Sequence, residues 1–209
     1  MDATVSLERE VKLSIPQDVD LPDLNGVIVG VRVSDQLHRE LDALYYDAAD
    51  FRLTRAGLSL RRRCGEGAGP ATWTLKIAAP RDGSAIRRRY EIKVDNAGDA
   101  MPDTIERMIL TVARDAPIVP VARVATSREV MTLKVGDQSV AEISDDTVDI
   151  IEDGREAGHY REIEVELSPE TGDDTVEVLV TTLRQVGAGE PIAYSKLARA
   201  AGSVGSAAT

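Results

Sequence analysis

Leu7-Glu8-Arg9-Glu10-Val11-Lys12-Leu13 is the stretch on which the fold turns. Leu7, Val11 and Leu13 share one side of a period-two alternation with Arg9, while Glu8, Glu10 and Lys12 share the other. That period predicts a β-strand from Val5 to Leu13, with one apolar and one charged face and an end at Pro16, which has no N–H for a ladder. Like charges two residues apart on one face stand about 6.5–7 Å from each other. They repel unless a counterion sits between or opposite them.

Working outward, the alternation returns along most of the chain. Leu58 to Cys64 sets Ser59, Arg61 and Arg63 against Leu58, Leu60 and Arg62, and the Gly-rich stretch from Gly65 to Pro70 follows as a turn. Thr72, Thr74 and Lys76 oppose Trp73, Leu75 and Ile77, and beyond an Asp82-Gly83 turn Arg87, Arg89, Glu91 and Lys93 oppose Tyr90, Ile92 and Val94. The spacing makes this pair a hairpin. Further strands are expected over Arg128–Val135, Ser139–Ile150 and Tyr160–Leu167. Leu21 to Gly26 reads as a short helical or irregular connection, and His38 to Asp47 is ambiguous, because Ser34 suits a helix cap whereas Tyr45 and Tyr46 suit a strand. The period changes between Asp103 and Arg114, where Ile105, Met108, Ile109 and Val112 form one stripe behind an Asp103 N-cap, and a second helix is expected over Thr175–Val186.

Strand by strand, one face collects Glu8, Glu10, Lys12, Arg61, Arg63, Lys76, Arg89, Glu91, Arg128, Glu142, Asp146, Glu162, Glu164 and Glu166. A solvated sheet face explains alternating charge in any single strand. It does not explain same-sign pairs repeated on strand after strand. Carboxylate pairs suit a hard divalent cation such as magnesium, and Arg61/Arg63, Lys76 and Arg128 suit phosphate oxygens, so together they imply a metal polyphosphate. If the sheet closes on itself, this face becomes an interior in which charges persist only when paired with ligand, metal and one another.

The totals narrow the class. With 209 residues, 43% hydrophobic and 29% charged, one core is the simpler reading. A net charge of −11 argues against broad binding to a nucleic-acid backbone. The single cysteine forms no internal disulfide, and no apolar run approaches a membrane span or signal segment, so a soluble cytoplasmic protein is expected. Two histidines, His38 and His159, are too few for a His/Cys zinc site and read as surface or edge residues. Cys64, on the apolar side of its strand by the alternation, reads as a packed core thiol.

Glu8-Arg9-Glu10-Val11-Lys12 resembles the ExExK signature of the CYTH superfamily, the triphosphate tunnel metalloenzymes. Leu44-Tyr45-Tyr46-Asp47-Ala48-Ala49-Asp50, Leu60-Arg61-Arg62-Arg63, Thr74-Leu75-Lys76, Arg89-Tyr90-Glu91, Thr126-Ser127-Arg128, Asp146-Thr147-Val148 and Glu162-Ile163-Glu164 follow in family order. The resemblance implies an α+β fold, an eight-stranded antiparallel β-barrel with helices packed outside. It implies a CYTH tunnel domain over residues 1–201 and a flexible tail or linker start over 202–209. Glu8, Glu10, Asp146, Glu162 and Glu164 are similar to the family's metal-binding acids, with Mg2+ or Mn2+ as cofactor, and Lys12, Arg61, Arg63, Lys76, Arg89, Arg128 and Lys196 to its triphosphate ligands. The resemblance implies Glu8, Glu10 and Lys12 as the catalytic trio. Asp145 and Asp146 compete for the acid near that strand end, and alternation with Glu142 favours Asp146. Ala48-Ala49 replaces the usual Thr-Pro, and Lys93 stands where a second carboxylate often follows Arg-x-Glu.

Family members include inorganic triphosphatases, thiamine triphosphatases and class IV adenylyl cyclases. The Tyr160–Leu167 strand and the Ser195–Ala200 segment look most like bacterial CYTH domains joined to a helical CHAD domain, which favours inorganic tripolyphosphate and a CHAD-type partner domain in a longer chain. With 3% aromatic residues the chain offers little stacking surface for thiamine. The alternatives are cyclase or thiamine triphosphatase activity, or a noncatalytic polyphosphate-binding module. The expected partner is a small triphosphate, with no nucleic acid and no membrane, and apolar residues on the outer wall are compatible with a homodimer.

Overall fold

A computed structural model describes residues 3–66, 71–80, 82–95 and 99–206, without the side chains of 35, 201 and 203–206. Its strands are β1 (Thr4–Ser14), β2 (Val31–Asp47), β3 (Leu58–Cys64), β4 (Thr72–Ala78), β5 (Arg87–Asp95), β6 (Val119–Val135), β7 (Gln138–Glu152) and β8 (Arg155–Leu167). All neighbours run antiparallel and close into one barrel in the order β1-β5-β4-β3-β2-β6-β7-β8. Four helices accompany them: α1 (Arg52–Arg55), α2 (Asp103–Ala113), α3 (Asp174–Gln185) and α4 (Lys196–Ser206).

The two faces of each strand decide where the helices go. Val11, Leu13, Ile143, Ile163 and Val165 point outward and are covered by Val176, Leu179 and Leu183 of α3. Leu60, Trp73, Leu75, Ile92 and Val94 are covered in the same way by Ile105, Ile109 and Ala113 of α2. Each fully buried Leu or Ile contributes about 1.5–3 kcal/mol. Arg9, the one charged residue on the apolar side of β1, donates to the Pro169 and Thr171 carbonyls at 3.2 and 2.8 Å and so ties the β8–α3 connection to the wall.

A third apolar cluster lies on the tunnel side at one end. Ala43, Tyr45, Val124, Val148, Ile150 and Tyr160 meet Leu197 and Ala200 of α4 there, with the Arg199 guanidinium 3.7 Å above the Tyr160 ring. The helix stops this end of the barrel.

Several expectations change in detail. The ambiguous stretch lies within the single 17-residue strand β2, where a bulge shifts the register between Val33 and Gln36, and Ser34 caps no helix. β6 begins at Val119, well before Arg128, because Pro120 sits at a second register shift opposite Tyr46 and needs no ladder N–H there. Asp103 is the first residue of α2 and not its cap, which is Pro102, so its carboxylate complements the helix dipole instead. Leu21–Gly26 is irregular, without a helix. Cys64 is exposed, not packed, because β3 runs past its apolar cluster before it ends. Gly65 follows at φ +92°, and a Cβ there would collide with the Glu40 carbonyl. The rest of that turn, 67–70, lies outside the described residues, and α4 runs through position 202, where the linker was expected to start.

Candidate active site

The interior of an eight-stranded barrel is just wide enough for side chains to fill or for one small ligand. This one encloses a polar cavity of about 130 Å³ lined by nine basic side chains (Lys12, Arg39, Arg61, Arg63, Lys76, Arg89, Lys93, Arg128 and Lys196) and six acidic ones (Glu8, Glu66, Glu91, Glu142, Glu164 and Glu166). In a chain of net charge −11 the lining is therefore basic. The cavity is smaller than the roughly 300–1,000 Å³ of pockets for drug-sized ligands. It suits a compact polyanion.

Register explains the pairing. Glu8 stands opposite Arg89, Lys12 opposite Glu164, Lys76 opposite Glu91, and Arg128 opposite Asp146. Glu8 accepts from Lys76 Nζ at 2.5 Å and Arg89 Nε at 3.0 Å, and Arg89 also reaches Glu10. Burial alone would raise the Glu8 carboxyl, but Lys76 and Arg89 hold it below the usual range. Glu91 likewise overcomes burial through Lys76 and Lys93, which pull it down to about 2.

The second focus is a carboxylate triad. Asp146, Glu162 and Glu164 each offer an oxygen within 4.8 Å of the others. Arg128 donates to both Asp146 oxygens at 2.6 Å and to Glu164 at 2.9 Å, Lys196 to Asp146 at 2.8 Å and Glu164 at 2.7 Å, and Lys12 to Glu164. Burial opposes charge on Glu164 and Lys196, yet Lys12, Lys196 and Arg128 drive Glu164 well below the ordinary carboxyl range, and Glu164, Asp146 and Glu162 drive Lys196 well above the ordinary ammonium range. Asp145 points the other way, bound to Arg161 at 2.7 Å, so Asp146 alone of the two faces the tunnel.

All twelve site residues expected from the sequence converge here. Glu10, Asp146 and Glu162 lie just behind the lining, each held by a residue that forms it. Sequence reasoning passed over Arg39 and Tyr45 on β2, because that strand was unassigned, and Ser195 beside Lys196. It also left Glu166 and Glu142 out of the metal-binding set, although Glu10, Glu166 and Glu142 form one rung across β1, β8 and β7. Like charges directly opposite are destabilising. Glu166 makes no ion pair among the described residues, and enclosure together with Glu8 pushes it up to about 7.

On the opposite wall the one acid among the lining residues is Glu66, which pairs with the far end of Arg63. Arg63 is pushed down to about 9 by burial and by Arg61 and Arg128, and Arg61 Nε and Arg63 Nε are buried without a hydrogen-bond partner. Buried donors normally have partners.

The sequence model of the CYTH domain matches residues 6–196. The chain belongs to the CYTH domain family. An uncharacterized protein of Mycobacterium tuberculosis (strain H37Rv) is 32% identical over 212 residues, which is 94% of this chain and 40% of that one, so the chain spans about 40% of the length of this relative. Among solved structures, a Bacillus halodurans protein described as a candidate adenylate cyclase has a TM-score of 0.60 at 16% identity, covering 93% of this chain and 97% of its own. A Hippeastrum protein, described as a candidate adenylyl cyclase with a dominant triphosphatase activity, has a TM-score of 0.57 at 17% identity over 91% and 93% of the two chains. Both share the CYTH fold with this chain.

The donor set of this CYTH domain fits a hard divalent cation. Carboxylate oxygens, without sulfur or imidazole among the lining residues, are what Mg2+ or Mn2+ takes. Among the described residues no helix is long and apolar enough to cross a membrane.

Proposed function

We propose that this CYTH domain hydrolyses a small triphosphate, inorganic tripolyphosphate, to diphosphate and phosphate. The observation that carries the reading is the enclosed cavity itself, in which unpartnered guanidinium Nε atoms face clustered carboxylates. Lys12, Arg61, Arg63, Lys76, Arg89, Arg128 and Lys196 bind phosphate oxygens. Lys12, Arg63, Lys76, Arg89, Arg128 and Lys196 exchange their present carboxylate partners for the substrate, and Arg61 has none to exchange among the described residues. Glu8, Glu10, Asp146, Glu162 and Glu164, joined through the strand register by Glu166 and Glu142, hold the cation. Bound Mg2+ or Mn2+ supplies charge neutralisation and orientation of the phosphate chain. The walls exclude bulk water and fix the chain in line for a water oxygen, which bonds to the terminal phosphorus as the bond to the bridging oxygen breaks and diphosphate leaves. No protein nucleophile is required.

The triphosphatase activity described for the Hippeastrum protein supports this reading. A CHAD-type domain in a longer chain belongs to the same proposal. The test is phosphate release from tripolyphosphate by the purified protein with each metal, beside a Glu10→Gln control. No release above the control with either metal overturns hydrolysis. Cyclic AMP formed from ATP favours the cyclase, and tight polyphosphate binding without turnover favours a binding module.

A further inference from the structure

Thr72 and Thr74 sit on the same face of β4, and only one hydroxyl is satisfied. Thr72 donates to Asp95 Oδ1 at 2.8 Å. Thr74 is 0% exposed, lines the tunnel, and its Oγ1 has no hydrogen-bond partner among the described residues. Arg61 stands directly opposite it on β3, and Arg63 is two residues along the same wall. Side chains directly opposite are about 4.5–5.5 Å apart at Cβ, and diagonal ones remain within reach of long side chains. The three buried groups lacking a partner on this wall, Arg61 Nε, Arg63 Nε and Thr74 Oγ1, can each donate, and the two guanidinium nitrogens can do nothing else.

A buried hydroxyl left unpaired is unfavourable, and valine would fill the same volume with equal strand propensity. The hydroxyl proton finds a partner only when an acceptor arrives. A ligand that complements three donors and brings none of its own is a phosphate group, whose oxygens are acceptors only.

We propose that Thr74 is a substrate-positioning residue whose hydroxyl donates to a non-bridging phosphate oxygen held between Arg61 and Arg63. This rests on the triphosphate reading above and adds a neutral contact to its charged ligand set. The hydroxyl also fixes the depth at which that phosphate stops, because its short β-branched side chain cannot follow a displaced ligand as a long guanidinium can.

The experiment is calorimetric titration of inorganic tripolyphosphate, in EDTA to remove metal, into wild type, Thr74→Val and Thr74→Ser, with the thermal midpoint of each protein free of ligand. Thr74→Val should bind about tenfold more weakly, the value of one hydrogen bond to a charged group. Thr74→Ser should bind within about threefold of wild type, because it keeps the donor. Unliganded Thr74→Val should melt no lower than wild type, whereas a structural hydroxyl would make it melt lower. Wild-type affinity in Thr74→Val, or a lowered midpoint that Thr74→Ser restores without any change in affinity, overturns the assignment while leaving the phosphate tunnel intact. Failure of wild type to bind tripolyphosphate overturns both.

Discussion

Lys196 Nζ, at the first residue of α4, donates to Asp146 Oδ2 on β7 at 2.8 Å. The helix that stops one end of the barrel thus also delivers a cation to the carboxylate triad, and the packing of Leu197 and Ala200 against Tyr45, Val148 and Tyr160 holds it in place. Replacing Lys196 by Met leaves Asp146, Glu162 and Glu164 with two cations, Lys12 and Arg128, in place of three. Removing one partner of a buried pair is costly, and with the other two present the expected loss is about 2–3 kcal/mol. Mg2+ should then stabilise Lys196→Met more than wild type, because the triad has lost a competitor. Urea denaturation with and without Mg2+ measures both, and a variant indifferent to Mg2+ would count against a cation at the triad.

Asp47 should matter for folding and not for chemistry. Its carboxylate, 0% exposed, accepts from the backbone N–H of Ala48, Leu53 and Thr54 at 2.8–2.9 Å and from Thr54 Oγ1 at 2.7 Å, so it organises the β2–α1 turn from beyond the helix. Asp47→Ala strands these donors and should cost roughly 3–5 kcal/mol, with Asp47→Asn losing less. Phosphate release per folded molecule should stay at the wild-type value. A stable Asp47→Ala protein would contradict this account.

Strands whose two faces differ chemically could be read directly. β1 alternates Leu7, Val11 and Leu13 against Glu8, Glu10 and Lys12, and the structure packs Val11 and Leu13 under α3, leaves Leu7 half-exposed on the same outer face, and turns the second set to the tunnel side. β2 could not be read that way, because its bulge breaks the period between Val33 and Gln36 and its tunnel side mixes Arg39, Leu41, Ala43 and Tyr45. Arg39 accordingly gave no signal. Glu166 did stand out in the alternation, but its significance lies in having Glu10 and Glu142 as cross-strand neighbours, and register across a closed barrel is set by all eight strands together. Lys196 was legible only through family resemblance. Its strand-like setting among Tyr194 and Ser195 hides a helix whose stripe, Leu197 and Ala200, has meaning only against the barrel end.

Cys64 lies at the exposed end of β3, with the Arg62 guanidinium 3.8 Å from its sulfur. The native protein should therefore react with a thiol reagent such as DTNB to one equivalent without denaturant. Cys64→Ser should shift stability by no more than about 0.5 kcal/mol, the range for surface substitutions. Reaction only after unfolding would show that the thiol is enclosed.

His38 offers a pH test on the outer wall, on the face of β2 opposite to the tunnel-lining Arg39. Its Nδ1 lies 2.6 Å from Glu129 and its Nε2 2.7 Å from Glu40, so both ring nitrogens face carboxylates and the doubly protonated ring satisfies both. The hydrogen bonds to Glu129 and Glu40 raise the imidazolium above its ordinary value. A base whose folded-state pKa is raised contributes stability fully below its unfolded value of about 6.5 and loses that contribution as pH rises through the folded value. The thermal midpoint of wild type should exceed that of His38→Asn at pH 5.5, and the gap should close by pH 9. Because the pair is exposed, added salt should shrink the gap at low pH. A gap that widened with rising pH would show that the neutral ring is the form the wall prefers.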